Sequence, residues 1–133
     1  MTFRARGEPR TDDALNTDRL SYYESAFTEL RERLIRVLGA PTVTRLIERA
    51  VAEISAAHPR IASLRCDDNT VMFESVRAAF AEAQEDEMRD AFAALNAVLL
   101  LIVARLLGNQ IAERLTEGLT VADILHKGGL GGQ

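Results

Sequence analysis

The sequence is poor in almost everything that makes function easy to read. It holds one cysteine, no tryptophan, two histidines, three prolines and only 5% aromatic residues in 133 positions. A lone cysteine forms no disulfide within the chain, so nothing demands an oxidising compartment, and a reducing cytoplasmic setting is the expectation. With few aromatic platforms and a formal charge of −4, the chain lacks the cationic surface that replaces phosphate counterions, which argues against nucleic-acid binding. The N-terminus MTFRARGEPR carries arginines but no apolar stretch behind them, so it does not read as a secretory signal. The longest uninterrupted apolar run, Ala97 to Ala104, is far shorter than the roughly 20 residues that span a bilayer, and no membrane role is expected.

Chain-breaking residues are as scarce as reactive ones. Proline occurs only at 9, 41 and 59, and neither proline nor glycine appears from Arg60 to Leu107. Breaker-free sequence rich in Ala, Leu, Glu and Arg favours helix. The whole therefore reads as an all-α, four-helix bundle-like domain over residues 12–118, with helices near 14–38, 42–57, 71–83 and 85–115. Residues 1–11 form an N-terminal tail, and 119–133 a short amphipathic helix followed by a glycine-rich tail.

Two heptad seams organise this reading. Leu20, Tyr23, Phe27, Leu30, Leu34 and Val37 step 3-4-3-4-3 along the first helix, which Gly39 caps. Val43, Leu46, Ile47, Ala50, Ile54 and Ala57 make the inner stripe of the second, and Pro59 ends it. The stretch Cys66-Asp67-Asp68-Asn69-Thr70 reads as a turn and helix cap. Phe73, Val76, Phe80 and Ala83 share one face of the third helix. Met88, Phe92, Leu95, Leu99, Ile102 and Leu106 form the seam of the fourth. Extending the Phe73 register by heptads would bring Glu87 and Asp90 into the seam. This favours a break near Gln84 over one continuous rod for helices three and four.

The fourth helix goes beyond a single seam. Val98, Leu100, Leu101 and Val103 lie off it, so residues 97–104 are apolar around the whole circumference, and such a helix must be covered all round. A two-fold dimer through Leu95, Val98, Leu99, Leu101, Ile102, Arg105 and Leu106 is the expectation. The alternatives are a helix central to a monomer or a different protein partner. Arg105 either runs its stem along the bundle to water or pairs with a carboxylate or anion. Asn96 either faces solvent or sets register in an interface.

Catalytic and metal constellations are thin. His58, Cys66, Asp67 and Asp68 are ligand-type residues, but no C-x-x-C, H-x-x-x-H or E-x-x-H pair accompanies them, and no metal or cofactor is expected. A Cys66–His58 nucleophile pair is neither forbidden nor supported by its spacing. His126-Lys127-Gly128 departs from the order found in histidine phosphotransfer bundles, where Lys-Gly comes three residues after the histidine. The run Gly128–Gly132 lacks the strand and the Lys-Ser/Thr of a P-loop. Val121, Ile124 and Leu125 form a short apolar string suited either to folding back on the bundle or to docking in a partner groove. The expected function is thus a non-enzymatic protein-binding domain: a homodimeric cytoplasmic adaptor or a regulatory, signalling subunit. The alternative is a small-molecule sensor with Phe73, Phe80 and Phe92 as walls and Arg105 as anion partner. An enzyme using Cys66 or a histidine comes last.

Overall fold

A computed structural model describes residues 11–119, with side chains from Arg19 onward. The chain is all-α. Five α-helices run α1 Thr11–Leu38, α2 Ala40–Ile54, α3 Glu74–Ala79, α4 Glu85–Leu107 and α5 Asn109–Thr116. Between α2 and α3 lie a 3-10 turn, Pro59–Ser63, and a two-stranded antiparallel pair, β1 Arg65–Cys66 and β2 Val71–Met72.

The long helices α1, α2 and α4 pack on one another in all three pairs. Their shared surface is the core foreseen from the seams. Leu20, Tyr23, Phe27, Leu30 and Leu34 of α1 are buried, as are Met88, Phe92, Leu95, Leu99 and Ile102 of α4. The final position of each seam is not: Val37 is 52% and Leu106 58% exposed. From α2, Val43, Ile47, Ala50, Val51 and Ile54 face inward. Ala57 falls beyond the end of that helix and is exposed, because the chain tightens into a turn after Ile54.

Helix boundaries differ from the sequence expectation by two to three residues in α1, which takes in Thr11 from the expected tail, and in α2, and by more in the third and fourth helices. The third helix is six residues long, not thirteen, and Val71–Met72 pairs as a strand instead. The cause is local: the Asp67 carboxylate accepts from the Asn69 and Thr70 backbone N–H groups at 2.8 and 2.9 Å, closing a tight turn that returns the chain antiparallel. Phe73, Val76, Phe80 and Ala83 still turn inward, with Phe73 half-buried. The fourth helix stops at Leu107, because Gly108 takes φ 100°, and α5 starts a new direction. Gly39 makes the same kind of corner between α1 and α2, with φ 88°. The expected break at Gln84 is present, since Gln84 is the extended residue that precedes α4.

Aromatic rings are few, and four of them converge. Tyr23 stacks on Phe92 at 5.7 Å, Phe92 meets Phe80 at 6.0 Å, and Tyr22 sets its edge against Tyr23 at 5.3 Å. The Tyr23 hydroxyl donates to Glu85 Oε2 at 3.2 Å. Burial, together with the neighbouring Glu85 carboxylate, pushes the Tyr23 phenol up to about 12. In the unfolded chain it ionises near its ordinary value of 10.0. The folded state therefore keeps a proton that the unfolded state has lost between those values, and stability falls as pH rises through this window. Urea unfolding at pH 9 and pH 11.5 is expected to show that loss in the wild type and a flatter profile in Tyr23→Phe. Equal slopes in the two proteins would refute the assignment.

Candidate functional site

α4 opens with Glu85, Asp86 and Glu87 in its first turn, where the exposed backbone N–H groups favour acids. It then threads the core. At about 100° per residue, Asp90, Ala94, Ala97, Val98, Leu101, Ala104 and Arg105 gather on the side away from Phe92 and Leu99. On that outer stripe Ala94, Val98 and Ala104 are half-buried against the core, Leu101 is 50% exposed and Arg105 is exposed. Leu106 sits about 140° round the helix from Leu101, at the end of the seam.

The expected interface residues therefore separate into two sets. Leu95 and Leu99 have no exposed surface and Ile102 almost none. They are spent on the chain's own core, because the seam that carries them faces α1 and α2. Val98, Leu101, Arg105 and Leu106 are left with surface to offer. The docking residues Val121, Ile124 and Leu125 lie outside the described residues, as does the N-terminal tail up to Arg10.

Asn96 follows neither of its two expected roles. It is fully buried, and neither Oδ1 nor Nδ2 meets a hydrogen-bond partner among the described residues. It also lies about 140° from Leu101, away from the outer stripe. Two further buried polar side chains escaped the sequence reading. Glu24 is 6% exposed and accepts from Arg77 Nε at 3.0 Å and Nη2 at 2.9 Å, a two-pronged bridge from α1 to α3. Arg31 is also buried and donates from Nη2 to the Asp67 carbonyl at 2.8 Å, while Thr44 Oγ1 donates to Asp68 Oδ1 at 2.8 Å. These contacts pin the β1–β2 turn across α1 and α2. Glu24 and Arg31 are seven residues apart, hence on one stripe of α1 beside the apolar seam. That spacing was the available signal.

Of the residues weighed for chemistry, His126 and Gly128–Gly132 lie outside the described residues, and His58 and Cys66 stand on either side of the 3-10 turn. Among the described residues no group of three His, Cys, Asp or Glu side chains could hold a metal ion. His58 precedes the 3-10 turn, with its backbone N–H on the Ile54 carbonyl at 2.8 Å. Cys66 is half-buried, and burial raises its thiol pKa, with Arg31 opposing and Glu48 adding to the shift. A raised thiol pKa leaves little thiolate at neutral pH.

Cys66 does border a cleft of about 350 Å³, walled by Ile47, Val51, Ala62 and Leu64 and edged by Glu48 and Arg65. The walls expected for a sensor lie elsewhere. Phe80 and Phe92 are packed into the aromatic cluster, Phe73 sets its edge against Phe27 at 6.4 Å, and Arg105 is on the outer stripe of α4.

No family model, curated protein or solved structure matches this chain. Its function is thus argued from its own surfaces. Alone among the described helices, α4 is long and apolar enough to cross a membrane. Its length makes up what the short run Ala97–Ala104 lacks. Its seam residues are nevertheless buried within the chain, as in the core helix of a compact domain.

Proposed function

We propose that this chain is a non-enzymatic helical interaction domain, a cytoplasmic adaptor or regulatory subunit that pairs with a second copy of itself through the outer stripe of α4. The observation that carries the reading is Leu101, half exposed in the middle of an apolar helix, flanked by small side chains that allow another helix to approach. A two-fold axis near Leu101 would set Leu101 against its counterpart and bring Val98 and Ala94 under cover, with Arg105 at the rim. Burying two half-exposed leucines contributes on the order of 1–3 kcal/mol from apolar area alone, so neighbouring residues must share the interface.

Light scattering after gel filtration is the test. The wild type is expected at about twice the 14.7 kDa chain mass, and Leu101→Glu at the chain mass with unchanged helical circular dichroism. A monodisperse wild-type monomer at micromolar concentration would overturn the reading.

A second reading, a sensor for a small apolar ligand, rests on the cleft beside Cys66. It is the weaker one, because the polar residues Glu48 and Arg65 stand exposed at the edge and do not converge on the apolar floor.

A further inference from the structure

Two copies that meet through the outer stripe of α4 can set their helices parallel or antiparallel, and the charges on the stripe distinguish the two. Asp90 stands at its N-terminal end and Arg105 near its C-terminal end, and both are exposed. They lie about 22 Å apart along the helix at 1.5 Å per residue. The stripe positions between them, Ala94, Ala97, Val98, Leu101 and Ala104, carry no charge. Among the described residues Arg105 makes no ion pair. Asp90 meets only its neighbour Arg89, at 3.4 Å through Oδ1, and Arg89 is shared with Asp86 at 3.3 Å.

In a parallel pair each Arg105 would face the partner's Arg105, and each Asp90 the partner's Asp90. Like charges then meet at both ends of the contact, which costs affinity. An antiparallel pair that crosses level with Leu99, between Val98 and Leu101, reverses this. Each Arg105 then comes within about three residues, roughly 5 Å along the axis, of the partner's Asp90. A flexible arginine stem covers that distance. At the same crossing Leu101 lies beside the partner's Leu101 and over its Ala97, and Ala94 lies opposite the partner's Ala104. Large side chains thus settle against small ones.

We infer that the two copies lie with their α4 helices antiparallel, with Asp90 of each copy paired to Arg105 of the other at the two ends of the stripe. This direction rests on the self-association proposed above. The occupant is a second copy because the stripe is complementary to itself reversed, acid to base and leucine to alanine. The two ion pairs stand at the exposed rim, so they fix orientation more than they add affinity, and salt screens them.

Disulfide cross-linking of the full chain, in a Cys66→Ser background, reads the direction. A mixture of Ala94→Cys chains and Ala104→Cys chains is expected to link into a species of twice the 14.7 kDa chain mass. Either variant alone should link at least tenfold more slowly. Fast linking in either variant alone marks parallel helices, and it overturns the inference while leaving self-association standing. Absence of linking in all three samples also overturns it, and light scattering on the same samples then shows whether self-association has failed as well. Charge reversal is the second measurement. Arg105→Asp and Asp90→Arg are each expected to weaken the dimer about tenfold at low salt, and the double exchange to restore it to within about threefold. Single losses that simply add in the double variant count equally against the pairing.

Discussion

Phe92→Ala is expected to lower the unfolding free energy by about 3–5 kcal/mol, the range seen when a fully buried phenylalanine is emptied from a core. Phe92 has no exposed surface, and its ring is held between Tyr23 at 5.7 Å and Phe80 at 6.0 Å. Truncation removes the transfer term and leaves a void that two rings on different elements cannot both move to fill. In a chain with so few aromatics, that cluster is where α1, the α3 region and α4 meet. The loss is a large fraction of the roughly 5–15 kcal/mol that holds a typical domain together, and the midpoint should fall by about 10–20 °C. Urea titration with Met72→Ala as control checks it, since Met72 is 44% exposed and should cost under about 1 kcal/mol. A loss below about 1 kcal/mol at Phe92 would mean that the rings are not the centre of the core.

The same cluster shows what was legible in the sequence. Heptad spacing alone identified Tyr23, Phe27, Leu30, Leu34, Phe92, Leu95 and Leu99 as core, because a stripe repeating every three or four residues has one way to be buried in a helix. It also marked Phe80 and Val76 as inward, although the helix assigned to them is half as long as expected. Periodicity reports which side chains face together, and it reports less well where the backbone turns. Val71 and Met72 fit a helical stripe as well as a strand. What decided between them was the Asp67 side chain bonding two backbone N–H groups, an interaction with no periodic signature. Gly108 was visible in the sequence, yet the leucines before it and Ile111 and Leu115 after it kept one helical rhythm across it.

The candidate interface was half legible for a related reason. An all-round apolar stretch announces that α4 must be covered, but it does not say which of its leucines the chain covers by itself. The buried polar residues were the hardest to foresee. Glu24 and Arg31 look like ordinary solvated charges until their partners, on distant parts of the chain, are known.

Arg77→Met is the sharper probe of that last point. Glu24 is buried, and Arg77 supplies both of the side-chain donors on its carboxylate. Removing the partner of a buried charge costs about 3–5 kcal/mol, and because the Arg77 side chain is 59% exposed, water can partly replace it, so about 2–3 kcal/mol is expected here. A second substitution identifies the cause. Adding Glu24→Gln to Arg77→Met should restore most of the lost stability at pH 7, since the amide carries no charge to strand. If the double variant is no more stable than the single one, the loss comes from packing of the arginine stem, and the bridge between α1 and α3 is not electrostatic in origin.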